Sequence, residues 1–421
     1  MSNHSFRSAS SLRPSLLGAA ALLAALPGAS AAAADGGDDP GSWPYWRGPR
    51  RDAVSTETGW SLTGKASPLW KANVGLGYSS VSIHDGRLYT MGHDRDEDRD
   101  TVYCMDPETG KVLWTHSYPS ATLAKMHSGG TLTTPSVDPE EGVVYTANRE
   151  GKSFCLDAET GKVRWSRDLK EELGVKLPTW GFAASPLVLD DMVVFNYGKA
   201  VAVKKSSGKT IWETRDYGDA YSTPAIFDQG GKSRLAVFAG EGLAVLDLKS
   251  GKELYFYEWK TKYDVNAASP IVIGDRVFIS SGYDHGSAML ELGKKDVKVL
   301  WESRVMRNKM SGCVLWEDHL YGFDESILKC VDLEGNEKWR KRGIGKGAHL
   351  IVDGKLVIIG AKGELVFAEA TPEEYRELAR TKVLDGGVFW TTPVLVDGLI
   401  YCRSSRGELV CLDHRGERIE R

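Results

Sequence analysis

Trp180 and Trp390 offer flat faces for stacking on a planar ligand, and Lys309, Asn266, His127 and His349 are side chains able to hold carboxylates, with Tyr221 as a further polar aromatic. They are scattered along the chain, so they make a site only if the fold gathers them. Other chemically suggestive stretches read more simply. Residues 94–100, Asp-Arg-Asp-Glu-Asp-Arg-Asp, carry the alternating acids of a calcium loop. Arg99, however, stands where such a loop needs glycine, and Met105 where it needs a bidentate glutamate, so a solvated hairpin tip is expected. No Gly-x-Ser-x-Gly, His-Glu-x-x-His or Cys-x-x-Cys-His motif occurs, so no covalent haem is indicated and no catalytic residue is assigned.

What gathers the scattered side chains is a repeat. Residues 104–114, 155–165, 202–212 and 245–255 align without a gap as small-x-Asp-x-x-(Thr/Ser)-Gly-Lys-x-x-aromatic, with Lys204 at the acidic position of the third copy. Degenerate copies lie at 291–301, 330–339 and 411–416. The period, about 36 to 51 residues, is that of a propeller blade. Within each copy two β-rich runs flank a glycine-containing turn, and the Asp-x-x-Thr-Gly turn leads to a third strand. A hydroxyl residue followed by proline opens five of the units, at Thr134-Pro135, Ser185-Pro186, Thr223-Pro224, Ser269-Pro270 and Thr392-Pro393. Proline donates no hydrogen bond and suits the first position of a strand. The fold expected is therefore all-β: an eight-bladed β-propeller of four-stranded antiparallel blades. The last unit runs out before its own Trp strand, whereas residues 68–74 form an orphan Trp strand ahead of the first unit. Pairing the two closes the ring with an N-terminal strand and leaves no exposed sheet edge.

These repeated units, covering 70–421, resemble the quinoprotein propeller superfamily, which includes dehydrogenases carrying pyrroloquinoline quinone (PQQ) and the cofactor-free propeller lipoprotein of outer-membrane protein assembly. Trp43-Pro44-Tyr45-Trp46-Arg47-Gly48-Pro49, with Gly86-Arg87-Leu88-Tyr89-Thr90-Met91-Gly92, is similar to the opening of a secreted bacterial subgroup of PQQ-like propellers. The resemblance implies a small-molecule site where the inner strands converge, and the residues just ahead of each opening strand are then Tyr78, His127, Trp180, Tyr221, Asn266, Lys309, His349 and Trp390. It also implies, for the dehydrogenases, adjacent cysteines beneath the quinone and a calcium set; this chain has no Cys-Cys pair and no assignable calcium ligands. No cofactor is expected, with PQQ plus calcium as the alternative.

Residues 1–34 read as a secretory signal peptide: Arg7 and Arg13 precede an apolar run at 15–26, too short to span a membrane, and small residues follow. Residues 35–69 are read as a linker and an N-terminal segment packing on the ring through Trp43, Trp46 and Trp60. A periplasmic or secreted protein, monomeric and without a membrane span in its mature form, is expected. A formal charge of −4 without a basic stripe excludes nucleic acid as the expected partner. The six cysteines are mostly small core residues. If Arg406-Gly407 is a two-residue hairpin loop, Cys402 and Cys411 face each other and a disulfide is possible there. Residues 371–379, Thr-Pro-Glu-Glu onward, carry a capping box and predict a short helix inserted in blade seven. The function expected is an exported, non-enzymatic binding or assembly scaffold in the cell envelope, contacting an envelope protein or a small-molecule ligand; the alternative is an oxidoreductase or sensor holding PQQ or another planar ligand.

Overall fold

Val, Ile, Tyr and Phe at alternating positions, broken by glycine turns, build strands here almost to the exclusion of helix. A computed structural model describes residues 41–65, 67–122, 129–293 and 296–416. Its strands form eight antiparallel four-stranded blades, an eight-bladed β-propeller. Blade one runs from its inner strand Ser82–His84 through Arg87–Asp94 and Arg99–Met105 to its outer strand Val112–Pro119. Blades two to six repeat that order. In blade seven a fifth strand, Val54–Ser55, lies parallel to the inner strand Ala348–Val352.

Blade eight is closed by the N-terminal strand. Trp70–Asn73 pairs antiparallel with Glu408–Asp413, in the register Trp70 with Cys411. Buried Arg403 fastens the closure to blade one, donating to the carbonyls of Ser79 (2.8 Å), Met91 (2.6 Å) and Gly75 (3.0 Å) and to Thr90 Oγ1 (3.0 Å).

The repeat motif is a docking device between blades. In its turn, Asp106 Oδ1 accepts from the amide (2.8 Å) and hydroxyl (2.8 Å) of Thr109, and Gly110 takes a positive φ of 71°. These hydrogen bonds hold the Asp106 carboxyl below the usual carboxylate range. The bare glycine face receives the indole of the preceding blade: a Cβ on Gly110 would lie 2.6 Å from Trp70, and one on Gly161 2.5 Å from Trp114. Each indole N–H also donates to a carbonyl of the next blade, Trp70 to Pro107 (2.8 Å), Trp114 to Ala158 (3.0 Å), Trp165 to Lys205 (2.7 Å) and Trp212 to Leu248 (2.9 Å). A second belt runs near the axis, where the opening hydroxyls accept from the neighbouring blade's amides. Ser80 N donates to Thr134 Oγ1 (3.0 Å), Thr134 N to Ser185 Oγ (2.9 Å) and Ser185 N to Thr223 Oγ1 (3.0 Å).

Two local expectations are corrected. Cys402 lies opposite Val410 and Cys411 opposite Tyr401, and all six cysteines are free. Ser404 N bonds the Glu408 carbonyl, leaving a three-residue loop, 405–407, with Gly407 at φ 97° instead of the two-residue turn. A one-residue shift in register turns the two thiols to opposite faces of the sheet. The helix expected at 371–379 is absent: Glu377–Lys382 is the outer strand of blade seven, pairing Phe367 with Ala379. A local cap cannot outweigh a full edge of sheet hydrogen bonds, since short isolated helices are marginal. The hairpin between Arg87–Asp94 and Arg99–Met105 does end in the acidic run, with Asp94 Oδ1 accepting from the amides of Asp96 and Glu97. The described residues contain no cluster of three or more His, Cys, Asp or Glu able to hold a metal, and no helix among them is long and apolar enough to cross a membrane.

Candidate functional site

The segment ahead of the ring crosses its axis. Trp43 exchanges backbone hydrogen bonds with Ile83 in blade one (2.7 and 2.9 Å), and the Pro44 carbonyl accepts from Val137 in blade two (2.8 Å). Arg51 Nη2 donates to the Val188 carbonyl of blade three (2.6 Å) and Arg47 Nη2 to that of Cys313 beside blade six (2.7 Å). The Ala53 carbonyl accepts from Ile351 in blade seven (3.0 Å). Only a chain lying across the channel reaches inner strands on opposite sides of the ring. Residues 43–55 are therefore a plug.

Above the plug, where the inner strands begin, a cavity of about 140 Å³ opens. Six aromatics dominate its walls, buried Tyr221 and half-buried Trp46, Tyr78, Trp180, Tyr283 and Trp390. Tyr78 and Trp390 stack at 5.3 Å with planes 16° apart, and Trp180 tilts on Tyr221 at 6.1 Å. The Tyr221 hydroxyl donates to Asp219 (3.1 Å), and burial raises both groups above their usual pKa range. Trp46, carried by the plug, belongs to the same lining, joined by the hydroxyl residues Ser185, Thr223 and Ser269. No lining residue among the described ones is charged.

Tyr283 is held there at a conformational cost. It and Asp284 both adopt positive φ, 57° and 61°, in the turn between Ser281 and Gly286. Such a turn ordinarily takes Asn-Gly, and a tyrosine there costs on the order of 1–3 kcal/mol. Glu325 Oε1 accepts from the Tyr283 amide (2.8 Å), Tyr263 packs edge-on at 5.0 Å, and Lys309 Nζ lies 4.0 Å from the ring centroid. Burial and the Lys346 charge lower the Lys309 pKa.

Of the side chains singled out in the sequence, Tyr78, Trp180, Tyr221 and Trp390 line the cavity. Lys309 stands beside it on Tyr283. Asn266 does not line it: its amide is buried, donating to the carbonyls of Ala239 (2.7 Å) and Trp259 (3.1 Å) and accepting from Ser281 (2.6 Å). His349 does not line it either. It is buried in blade seven, its Nε2 bonded to the Tyr321 carbonyl (3.0 Å), and burial, abetted by the Arg47 charge, pushes its pKa down to about 4. His127 lies outside the described residues. Sequence reasoning missed Trp46 and Tyr283 as lining residues. The aromatic density of 43–47 was the available signal for the first; a tyrosine where a turn needs positive φ leaves none for the second.

PQQ carries three carboxylates and is held with calcium in the resembled enzymes. Among the described residues the lining is uncharged and largely aromatic and no metal-ligating cluster occurs, which does not fit that group.

A family model described as outer membrane protein assembly factor BamB matches residues 59–138 and 98–341. Tetrathionate hydrolase of Acidithiobacillus ferrooxidans is 23% identical over 245 residues, which is 53% of this chain and 45% of that one. The chain spans only 19–45% of the length of the curated relatives it matches. Among solved structures, BamB from Moraxella catarrhalis superposes with a TM-score of 0.62 at 14% identity, covering 84% of this chain and 98% of that one. Quinohemoprotein alcohol dehydrogenase from Comamonas testosteroni gives 0.64 at 13% identity, covering 91% and 82%. At such identities the structures share a fold and nothing finer.

Proposed function

The chain belongs to the PQQ-like propeller family whose model is described as outer membrane protein assembly factor BamB, and from that premise we propose that it is an exported, non-enzymatic binding scaffold of the cell envelope. The observation that carries this reading is the plug. Residues 43–55 fill the channel with the chain's own backbone, and among the described residues the lining of the funnel above is uncharged, with Lys309 beside it on Tyr283. With its center occupied, the ring keeps its outer rims and loops for partners. Export rests on the signal-like residues 1–34, and the partner is taken to be an envelope protein by likeness to a relative named as an assembly factor.

A second reading, an oxidoreductase or sensor of a planar ligand, is favoured by the six aromatic walls. Calorimetry of the mature protein with PQQ and calcium separates the two. No heat and no dye-linked dehydrogenase turnover are expected; micromolar binding that disappears in Trp180→Ala would replace the scaffold with the second reading.

A further inference from the structure

We propose that the funnel binds an uncharged, single-ring aromatic ligand bearing hydrogen-bond acceptors, a carbonyl-substituted arene or a monocyclic quinone. This goes beyond the scaffold reading and stands or falls apart from it. Size is the first argument. The cavity of about 140 Å³ is close to the ~150 Å³ of an engineered apolar cavity that takes up benzene, and Trp46 on the plug limits its depth. A single ring matches that volume, whereas a fused tricyclic acid would project beyond it through the open side.

The walls supply the second argument. Tyr78 and Trp390, nearly parallel, and Trp180 and Tyr221, tilted, give stacking and edge contacts to a flat guest. The electron-rich indole and phenol faces complement a ring depleted by carbonyl substituents. Thirdly, the hydroxyls are oriented by the inter-blade belt. Ser185 Oγ and Thr223 Oγ1 each accept a backbone N–H (2.9 and 3.0 Å), and neither donates to an acceptor among the described residues. Their protons are left for an acceptor on the ligand. Among the described residues no cation lines the cavity, and Lys309 is engaged on the outer side of the lining by Tyr283, so an anion would lose its hydration here with little to offset it.

Three probes sharing one ring test this on the full chain, followed by quenching of tryptophan fluorescence: acetophenone, neutral with an acceptor; benzoate, anionic; and toluene, without an acceptor. Acetophenone is expected to bind saturably, toluene about fivefold more weakly and benzoate at least about tenfold more weakly. Trp180→Ala should weaken acetophenone and toluene alike, whereas Thr223→Val should erase the preference for acetophenone over toluene. Should Thr223→Val fail to fold, Ser269→Ala, at a half-exposed lining position, is the second variant and should reduce the same preference. Absence of saturable acetophenone binding, benzoate binding as tight as acetophenone, or a preference that survives loss of the hydroxyls would each overturn the proposal.

Discussion

Seven of the eight seams between blades are sealed by the same aromatic dock, and the eighth is not. Where blades one to six and the closing strand present Trp114, Trp165, Trp212, Tyr255, Trp301, Trp339 and Trp70, blade seven presents Ala379. Phe367 occupies the position opposite, which is a cysteine in four other blades and Ala202, Val245 or Met289 in the remaining three. The missing indole comes from outside the repeat. Trp60 bridges to Arg415 in the turn of blade eight and packs on Phe367 at 5.5 Å, while His414 packs on the same ring at 5.3 Å and its Nδ1 bonds the Ser61 carbonyl (2.8 Å). A Cβ on Gly416, the turn glycine of that blade, would meet the Gly59 carbonyl. A repeat can thus lose its defining residue where another segment fills the same space. The substitute is less complete, because Trp60 Nε1 has no hydrogen-bond partner among the described residues.

The largest test of this contrast removes the closing strand. Deleting 66–76 strips Trp70–Asn73 from blade eight and exposes an unpaired edge, so the ring is expected to unfold or oligomerise. An unchanged melting temperature and monomeric mass would refute closure. Next, Trp212→Ala, in a regular seam where the indole is buried and hydrogen-bonded, should cost about 3–5 kcal/mol by chemical denaturation.

His349 offers a pH test of the packing around the plug. Its folded pKa of about 4 lies below the ordinary 6.5, so the unfolded chain binds the extra proton between those values. Stability present above pH 6.5 should be lost as the pH falls toward 4, by roughly 3 kcal/mol in all. His349→Gln should flatten that slope; if the wild-type slope persists in the variant, another group is responsible. The smallest effect belongs to the irregular seam. Trp60→Ala, at a half-buried side chain with no N–H bond to lose, should cost only about 1–2 kcal/mol. A loss equal to that of Trp212→Ala would erase the distinction between the two kinds of seam.

The ring was legible because each cue was repeated. The Asp-x-x-Thr-Gly turn and its Trp recur often enough to set the period, and the orphan Trp70 indicated how the ring closes. Readings resting on a single local cue fared worse. The Cys402–Cys411 pairing assumed a loop length, and one extra loop residue reversed the faces. The capping box at Thr371 was a local signal set against an entire strand's pairing. At the funnel, counting back from the opening strands led to Tyr78, Trp180, Tyr221 and Trp390. The same count included Asn266 and His349, whose side chains turn into the protein to satisfy backbone carbonyls. Position relative to a strand does not by itself say which way a side chain points.

The closing strand also imposes a schedule. Lys65, just ahead of it, pairs with Asp413, 348 positions away (2.5 Å), and nothing nearer in sequence completes that sheet. Separation of this order costs little in final stability but slows assembly, because loop closure must precede its reward. The closing strand, made before every blade, therefore waits as an open edge while the intervening blades form, and blade eight ends its wait.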